Sequence, residues 1–354
     1  TITGTVDQTL PLGGTISDAW SATVYINPLK IRLTGIAGQT VTVPAYNSSS
    51  ANYTIVWGDG QESYGSGGTN IFNFRSHTYG ANTNTAVLEI GKPGDQVQPL
   101  HLSYRSTFSP YITEVIQWGN TKWETLKLDR AANLTTIPAT EVPQIANNVT
   151  NTWDAFFQGC SSFTGAGVTW NNWNTVLAKI TSLTSWFKDA TSFNGDISGF
   201  NTSTITSFSN MFSEADAFNI DISSWNVSNG TTYANMFYGA GGFAKSLENW
   251  VLGSNAAAGQ MFRYAADFGQ TNTFNMDTLV GWGVYAYNNS NVPSGVTLSQ
   301  FSGSFNGITW IGTQTTNSSG VAYSTQYGAQ WPSGWTNAQS ALDYLVNTAG
   351  WTIN

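Results

Sequence analysis

Few residues in this chain have the types and spacing that chemistry requires. The two histidines, His77 and His101, form no Ser-His-Asp order and no HExxH motif, and no cluster has the spacing of metal ligands. His77 is interpreted as a hydrogen-bonded structural residue, and His101 has no partner motif. The sequence therefore predicts no catalytic residue, no metal site and no cofactor.

Two carboxylates are the strongest candidates for catalysis, because a glycosidase needs only a pair of them. Asp196 and Asp221 are 25 residues apart and occupy the same position of two successive repeat units. Units that stack like strands would place them ~5 Å apart, which is the separation of a retaining pair. A hydrogen-bonding ladder that supports the loop backbone would recur with the same period. We favour that structural role.

Two further side chains have both a reactive and a structural interpretation. Asp59 could hold a weak calcium ion together with nearby carbonyl groups, but no EF-hand or nonapeptide pattern occurs, and turn chemistry explains this residue without a metal. Cys160 is the only cysteine, so an internal disulfide is excluded. It stands in a column of small residues, which indicates a buried hydrophobic side chain rather than a nucleophile.

A repeat of about 25 residues must position these side chains. Phenylalanines recur at intervals of 30, 25, 25 and 25 residues, at Phe163, Phe193, Phe218, Phe243 and Phe268. Three residues before them stand Cys160, Ala190, Ala215, Ala240 and Ala265, and aromatic residues follow at Trp170, Phe200, Trp225 and Trp250. Steps of 3, 4 and 3 residues from Ile205 to Ala215 predict a short helix, followed by an extended stretch. Such a unit cannot bury its own core, so the period predicts a stacked solenoid.

The repeat units also carry a family resemblance. The segments FKDATSFNGDISGFN, MFSEADAFNIDISSWNVSN and MFYGAGGFAKSLENW resemble the units of BspA-like surface proteins, which are relatives of the leucine-rich repeats. The resemblance covers roughly residues 112–300 and the last twenty, and residues 300–335 form an insertion. It implies an adhesion or host-interaction role.

A second resemblance lies upstream of the repeats. Trp57-Gly58-Asp59-Gly60, followed by Ser76-His77-Thr78-Tyr79, is similar to landmarks of polycystic-kidney-disease-type immunoglobulin-like domains. Short strands are predicted around them at Lys30–Thr34, Thr40–Pro44, Tyr53–Trp57 and Thr85–Ile90. This part of the chain is therefore expected to form a β-sandwich.

Together these patterns predict a mixed β/α fold in four parts. Residues 1–27 are an extended linker or edge strand, and residues 28–112 are an immunoglobulin-like β-sandwich. Residues 113–283 are a short leucine-rich-repeat-like solenoid. Residues 284–354 are a C-terminal helix-strand cap with an aromatic insertion, and their helix is predicted over Asn337–Ala349, where apolar residues share one face.

Composition limits the classes of partner. Only 9% of the residues are charged and the net charge is -8, and no run of Lys or Arg could neutralise successive phosphates. Nucleic acid and anionic membranes are therefore not expected partners, and no stretch of 18 apolar residues predicts membrane insertion. A surface rich in Asn, Ser and Thr is typical of extracellular and virion proteins. Because the chain opens at Thr1 without a signal peptide, we expect it to be processed or excised.

The favoured function is a non-enzymatic recognition or adhesion protein on a cell or virion surface, binding a protein or glycan through its solenoid or C-terminal loop. The candidate contact residues are the aromatic side chains Trp310, Tyr323, Tyr327, Trp331 and Trp335. The alternative for these side chains is that they pack the C-terminal cap. The alternative function is a structural subunit of a virion (decoration or tail fibre) or of an extracellular filament, with self-association through residues 1–27. A polysaccharide-acting enzyme is the remote alternative.

Overall fold

The computed structural model covers the chain in fifteen ranges. The described residues are 2–9, 15–22, 28–47, 53–65, 75–91, 100–102, 107–146, 153–247, 249–253, 256–265, 267, 276–288, 296–298, 315 and 320–353. The repeat position Phe268 and the candidate contact residue Trp310 lie outside these ranges.

The described residues form fifteen strands and four α-helices. The strands are β1 (Ile2–Thr9), β2 (Thr15–Ala22), β3 (Leu29–Thr34), β4 (Thr40–Val43), β5 (Ala45–Asn47), β6 (Tyr53–Val56), β7 (Glu62–Gly65), β8 (Arg75–Thr78), β9 (Thr85–Ile90), β10 (Leu100–Leu102), β11 (Ile112–Gln117), β12 (Lys122–Leu126), β13 (Gln144–Ile145), β14 (Thr297–Leu298) and β15 (Thr352–Ile353). The helices are α1 (Asn174–Leu177), α2 (Met276–Asn288), α3 (Tyr323–Tyr327) and α4 (Ala338–Asn347).

The N-terminal strands form separate open sheets. Strands β1 and β2 pair with each other as an antiparallel hairpin, and the five-stranded antiparallel sheet has the order β11-β3-β9-β6-β7. Along β3, Leu29, Ile31 and Leu33 are buried, whereas Lys30 and Arg32 are half-exposed and form ion pairs on the other face with residues of β9 and β11. The alternation shows that one face of this sheet packs on the core. Strands β4 and β8 pair apart from it.

A four-stranded sheet links this region to the repeats. Its order is β13-β12-β10-β5, and β12 pairs in parallel with both β10 and β13. Strand β11 extends the connection, because the amide of Val115 donates to the carbonyl of Thr136 at 3.0 Å. The first segment of the repeat region therefore continues a hydrogen-bonding pattern that begins in the sheets.

The fold class predicted from the sequence is wrong. The described chain is a mixed structure of several mainly antiparallel sheets, none of them closed, and four short helices, rather than an immunoglobulin-like β-sandwich followed by a leucine-rich-repeat-like solenoid. Among the described residues of 153–265 there is no strand of two or more residues, and the only α-helix there is the four-residue α1. The predicted repeat unit of one strand and one helix does not form.

Overlapping turns replace the predicted helices. From Leu183 to Ala190, three successive turns close through amide-to-carbonyl bonds from Trp186 to Leu183, from Lys188 to Ser185 and from Ala190 to Phe187, at 3.1–3.2 Å. Ser185 and Asp189 have positive φ, and the same two positions are left-handed at Asn210 and Glu214, at Asn235 and Gly239, and at Gln260 and Tyr264. A right-handed helix has no residue in that region. The steps of 3 and 4 residues therefore arise from turns.

Successive turn segments lie side by side and hydrogen-bond to one another. Every second amide of one segment donates to the next, as from Leu183 to Ser207 and from Ser185 to Ser209, at 2.9 Å. Equivalent aromatic rings stack in columns: Phe187 on Phe212 on Phe237 on Phe262, and Phe193 on Phe218 on Phe243, with centroids 5.4–6.1 Å apart. Offset stacked rings combine a large buried area with favourable geometry.

The C-terminal helices pack closely on each other. A Cβ at Gly283 of α2 would lie 2.6 Å from the Cβ of Ala341 on α4, so the glycine permits the helices to cross at short range. Helix α4 lies within the segment for which the sequence predicts a helix, and the Asn337 side chain caps it by accepting from the Ser340 amide. Among the described residues, no helix has the length and apolar character needed to cross a membrane.

Candidate functional site

The described residues of the predicted repeat core are all buried. They are Cys160, Phe163, Ala190, Phe193, Ala215, Phe218, Trp225, Ala240, Phe243 and Trp250. The Cys160 thiol donates to the carbonyl of Leu128 at 3.2 Å, and burial raises the pKa of the thiol. A protonated, enclosed thiol is a poor nucleophile.

The carboxylates considered for catalysis support local turns. Asp196 accepts hydrogen bonds from the Ser198 amide at 3.2 Å and hydroxyl at 2.6 Å, and Asp221 accepts from the Ser223 amide at 2.9 Å. These are Asx turns, in which a side chain replaces a backbone acceptor. No group of three or more His, Cys, Asp or Glu side chains that could hold a metal ion occurs within the described part of the chain.

Asp59 and His77 form a structural pair in the N-terminal region. Asp59 Oδ2 lies 2.7 Å from His77 Nε2, and its other oxygen accepts from the amide of Gln61 at 3.2 Å. The imidazole stacks on Trp57 at a centroid distance of 5.1 Å and meets Tyr79 edge-on. The pair therefore ties the turn after β6 to β8, whereas His101 belongs to β10.

The candidate contact residues of the C-terminal region pack on one another. Tyr323 is 1% exposed and stacks on Trp331, which stacks on Tyr327 in turn, with interplanar angles of 13° and 15°. Trp331 also donates its indole N–H to the carbonyl of Trp335 at 2.9 Å. Most of this cluster is engaged in internal packing. Of the four predicted contact residues that the structure describes, Tyr327 lines the cleft described below.

A cleft of about 350 Å³ opens between the last repeat segments and the C-terminal helices. Its lining residues are Asn249, Val251, Gly281, Val284, Tyr285, Asn288, Tyr327 and Gln330. We call these residues the C-terminal cleft. The volume lies at the lower end of the range of small-molecule sites, which is about 300–1,000 Å³.

One wall of the C-terminal cleft belongs to the repeat region. Trp250 is fully buried and donates its indole N–H to the carbonyl of Ile222, one segment earlier, at 2.9 Å. The residues on either side of it, Asn249 and Val251, line the cleft. The tryptophan column thus fixes the backbone that carries two lining side chains.

The opposite wall belongs to α2 and to the turn at Gly328–Gln330. Asn288 joins these elements, because its amide nitrogen donates to the carbonyls of Val284 at 2.8 Å and Gln330 at 2.7 Å. Both amide hydrogens are thereby used, and the remaining polar atom, Oδ1, is an acceptor. Tyr285 is 38% exposed and provides an aromatic surface at this wall.

Sequence reasoning identified one residue of this cleft, Tyr327, and missed the others. Asn249 and Tyr285 are 36 residues apart and belong to different elements, so no local spacing joins them. Two signals could have indicated the cleft. The residues on either side of a buried tryptophan of the column must lie at the surface, and the segment that forms α2 contains tyrosines.

Comparisons with known proteins give one family similarity. A protein family described as "Mycoplasma protein of unknown function, DUF285" matches residues 151–276, which are mostly the turn segments. No curated protein and no solved structure matches the chain. The family description assigns no chemistry to the cleft.

Proposed function

We propose that this protein is a non-enzymatic recognition protein, displayed outside a cell or on a virion, which binds a ligand from another surface in the C-terminal cleft. The observation that carries the proposal is the cleft itself, where two tyrosines and three carboxamides converge on a space the size of a small-molecule site. The BspA-like resemblance of the repeat units supports a recognition role. The turn-forming roles of Asp196 and Asp221 favour binding over catalysis.

A screen of the protein on combined glycan and protein arrays tests this proposal. We expect at least one array ligand to bind the wild type and to lose binding in Tyr285→Ala. The matched control is Tyr264→Ala, which removes a tyrosine that is 48% exposed and lies outside the cleft. No ligand on either array, or equal loss in both variants, would contradict a recognition site at the cleft.

A structural subunit remains the second proposal, on the basis of the N-terminal hairpin. Strands β1 and β2 pair with each other, and neither pairs with another strand in the part of the chain that the structure describes. An isolated hairpin is marginally stable in water and gains from a third strand. Light scattering after size exclusion tests this proposal: a stable monomer both with and without residues 1–27 would exclude self-association by this route.

A further inference from the structure

We infer that the C-terminal cleft takes a neutral sugar ring, such as the terminal hexose of a glycan chain. This inference rests on the proposed function and specifies the class of ligand at the same site. Four features of the described residues lead to it: an aromatic surface held in place, polar groups of the carboxamide type, the absence of charge from the lining, and the size of the space.

The aromatic surface is held before any ligand arrives. Tyr327 stacks on Trp331, which in turn stacks on the buried Tyr323, so Trp331 fixes the Tyr327 ring from one side. The C–H face of a sugar ring packs on such aromatic surfaces, and a ring that is already held loses little conformational entropy when it binds. Tyr285 adds a second aromatic side chain to the same cleft.

The polar groups of the cleft suit hydroxyl partners. Asn249, Asn288 and Gln330 line it, and all three are carboxamides. A carboxamide can both donate and accept, as a sugar hydroxyl does, and Asn288 contributes its acceptor oxygen because its hydrogens bind the protein backbone. A purely apolar ligand would displace water from these carboxamides without offering hydrogen bonds in its place.

The described residues of the lining offer no opposite charge to a charged ligand. Of the described residues that line the cleft, none is Asp, Glu, Lys, Arg or His. A carboxylate, sulfate or phosphate placed there would lose part of its hydration without gaining an opposite charge from these residues. The volume of about 350 Å³ limits the buried part of the ligand to roughly one or two sugar rings.

The test compares neutral hexoses with an acidic counterpart of the same ring. Glucose, galactose, mannose and N-acetylglucosamine are titrated into the full chain by ligand-observed NMR, with glucuronate as the charged match for glucose. We expect at least one neutral hexose to bind with a Kd near the millimolar range, as is usual for a single small polar ligand, and glucuronate to bind at least about tenfold more weakly than that hexose.

Two variants assign the binding to the cleft. Asn249→Ala and Tyr285→Ala each remove an exposed lining side chain, and each is expected to weaken the bound hexose by about tenfold, whereas Tyr264→Ala leaves it unchanged. Thermal melting confirms that each variant is folded. A hexose that binds both cleft variants like the wild type, or glucuronate that binds as well as the hexose, would overturn the inference.

The results also separate this inference from the function on which it rests. An array ligand that is a protein and is lost in Tyr285→Ala, with no hexose bound, would overturn the sugar assignment and leave the recognition site in place. Absence of both an array ligand and a bound hexose would overturn both.

Discussion

Asp129 follows β12 in a largely buried position, and replacing it with asparagine is expected to stabilise the protein above pH 6. Its Oδ1 atom is buried and has no hydrogen-bond partner among the described residues. Burial raises the pKa of this carboxyl from 3.8 to about 6, against the opposing effect of Lys127 and Arg130. The folded protein therefore holds this proton more tightly than the unfolded chain does.

The magnitude follows from the difference between the two pKa values. Between pH 3.8 and about 6 the folded state binds more protons than the unfolded state, so the free energy of unfolding falls as the pH rises through this interval. The full difference corresponds to roughly 3 kcal/mol, at about 1.4 kcal/mol per pH unit. Because the side chain retains some contact with water, we expect an observed gain of about 1–2 kcal/mol for Asp129→Asn above pH 6.

Urea unfolding at a series of pH values from 4 to 8 measures this effect. The difference between Asp129→Asn and wild type should be small at pH 4, grow through pH 6 and then level off. The control is Asp216→Asn, which removes the same charge from an exposed position and should show no such growth. A variant that is equally or less stable than wild type across the whole range would refute the claim that the buried carboxylate is costly when ionised.

Two further predictions concern the turn segments. Phe212→Ala should lower the free energy of unfolding by about 3–5 kcal/mol, because the ring is fully buried with stacked neighbours on both sides. The double variant with Phe237→Ala should lose about 1 kcal/mol less than the sum of the two single effects, and strict additivity in urea unfolding would contradict the stacked column. Ser185 has a φ of 58°, a left-handed conformation that glycine adopts more easily than other residues. Ser185→Gly should therefore raise the free energy of unfolding by about 0.5–1 kcal/mol, and Ser185→Val should lower it. The reverse order of stability would exclude a left-handed conformation at this position.

The sequence period predicts which residues stack, and it does not predict the backbone that carries them. Phe193 and Phe218 recur 25 residues apart and stack at 6.1 Å, because identical positions of adjacent segments face each other whatever the local conformation is. The helix prediction failed because overlapping turns also bring residues three and four apart to one face. Asn210 and Asn235 were the available signal, since asparagine tolerates positive φ better than most residues.

The cleft could not be predicted from local patterns, because its walls come from distant parts of the chain. Asn249 is placed by a tryptophan of the repeat region, whereas Tyr285 is placed by α2, which packs on α4 at Gly283. Two of the predicted aromatic contact residues, Tyr323 and Trp331, instead support Tyr327 from behind. Residue type identified an aromatic cluster, and tertiary packing decided which member lines the cleft.

The bonds between neighbouring turn segments also determine how this region responds to mechanical load. Each segment is held to the next through alternate amides, so a pulling force on the chain ends loads one seam at a time and the outermost segment detaches first. A released segment of 25 residues supplies roughly 80–90 Å of extended chain. Under load this region would thereby lengthen in discrete steps of one segment each, rather than all at once.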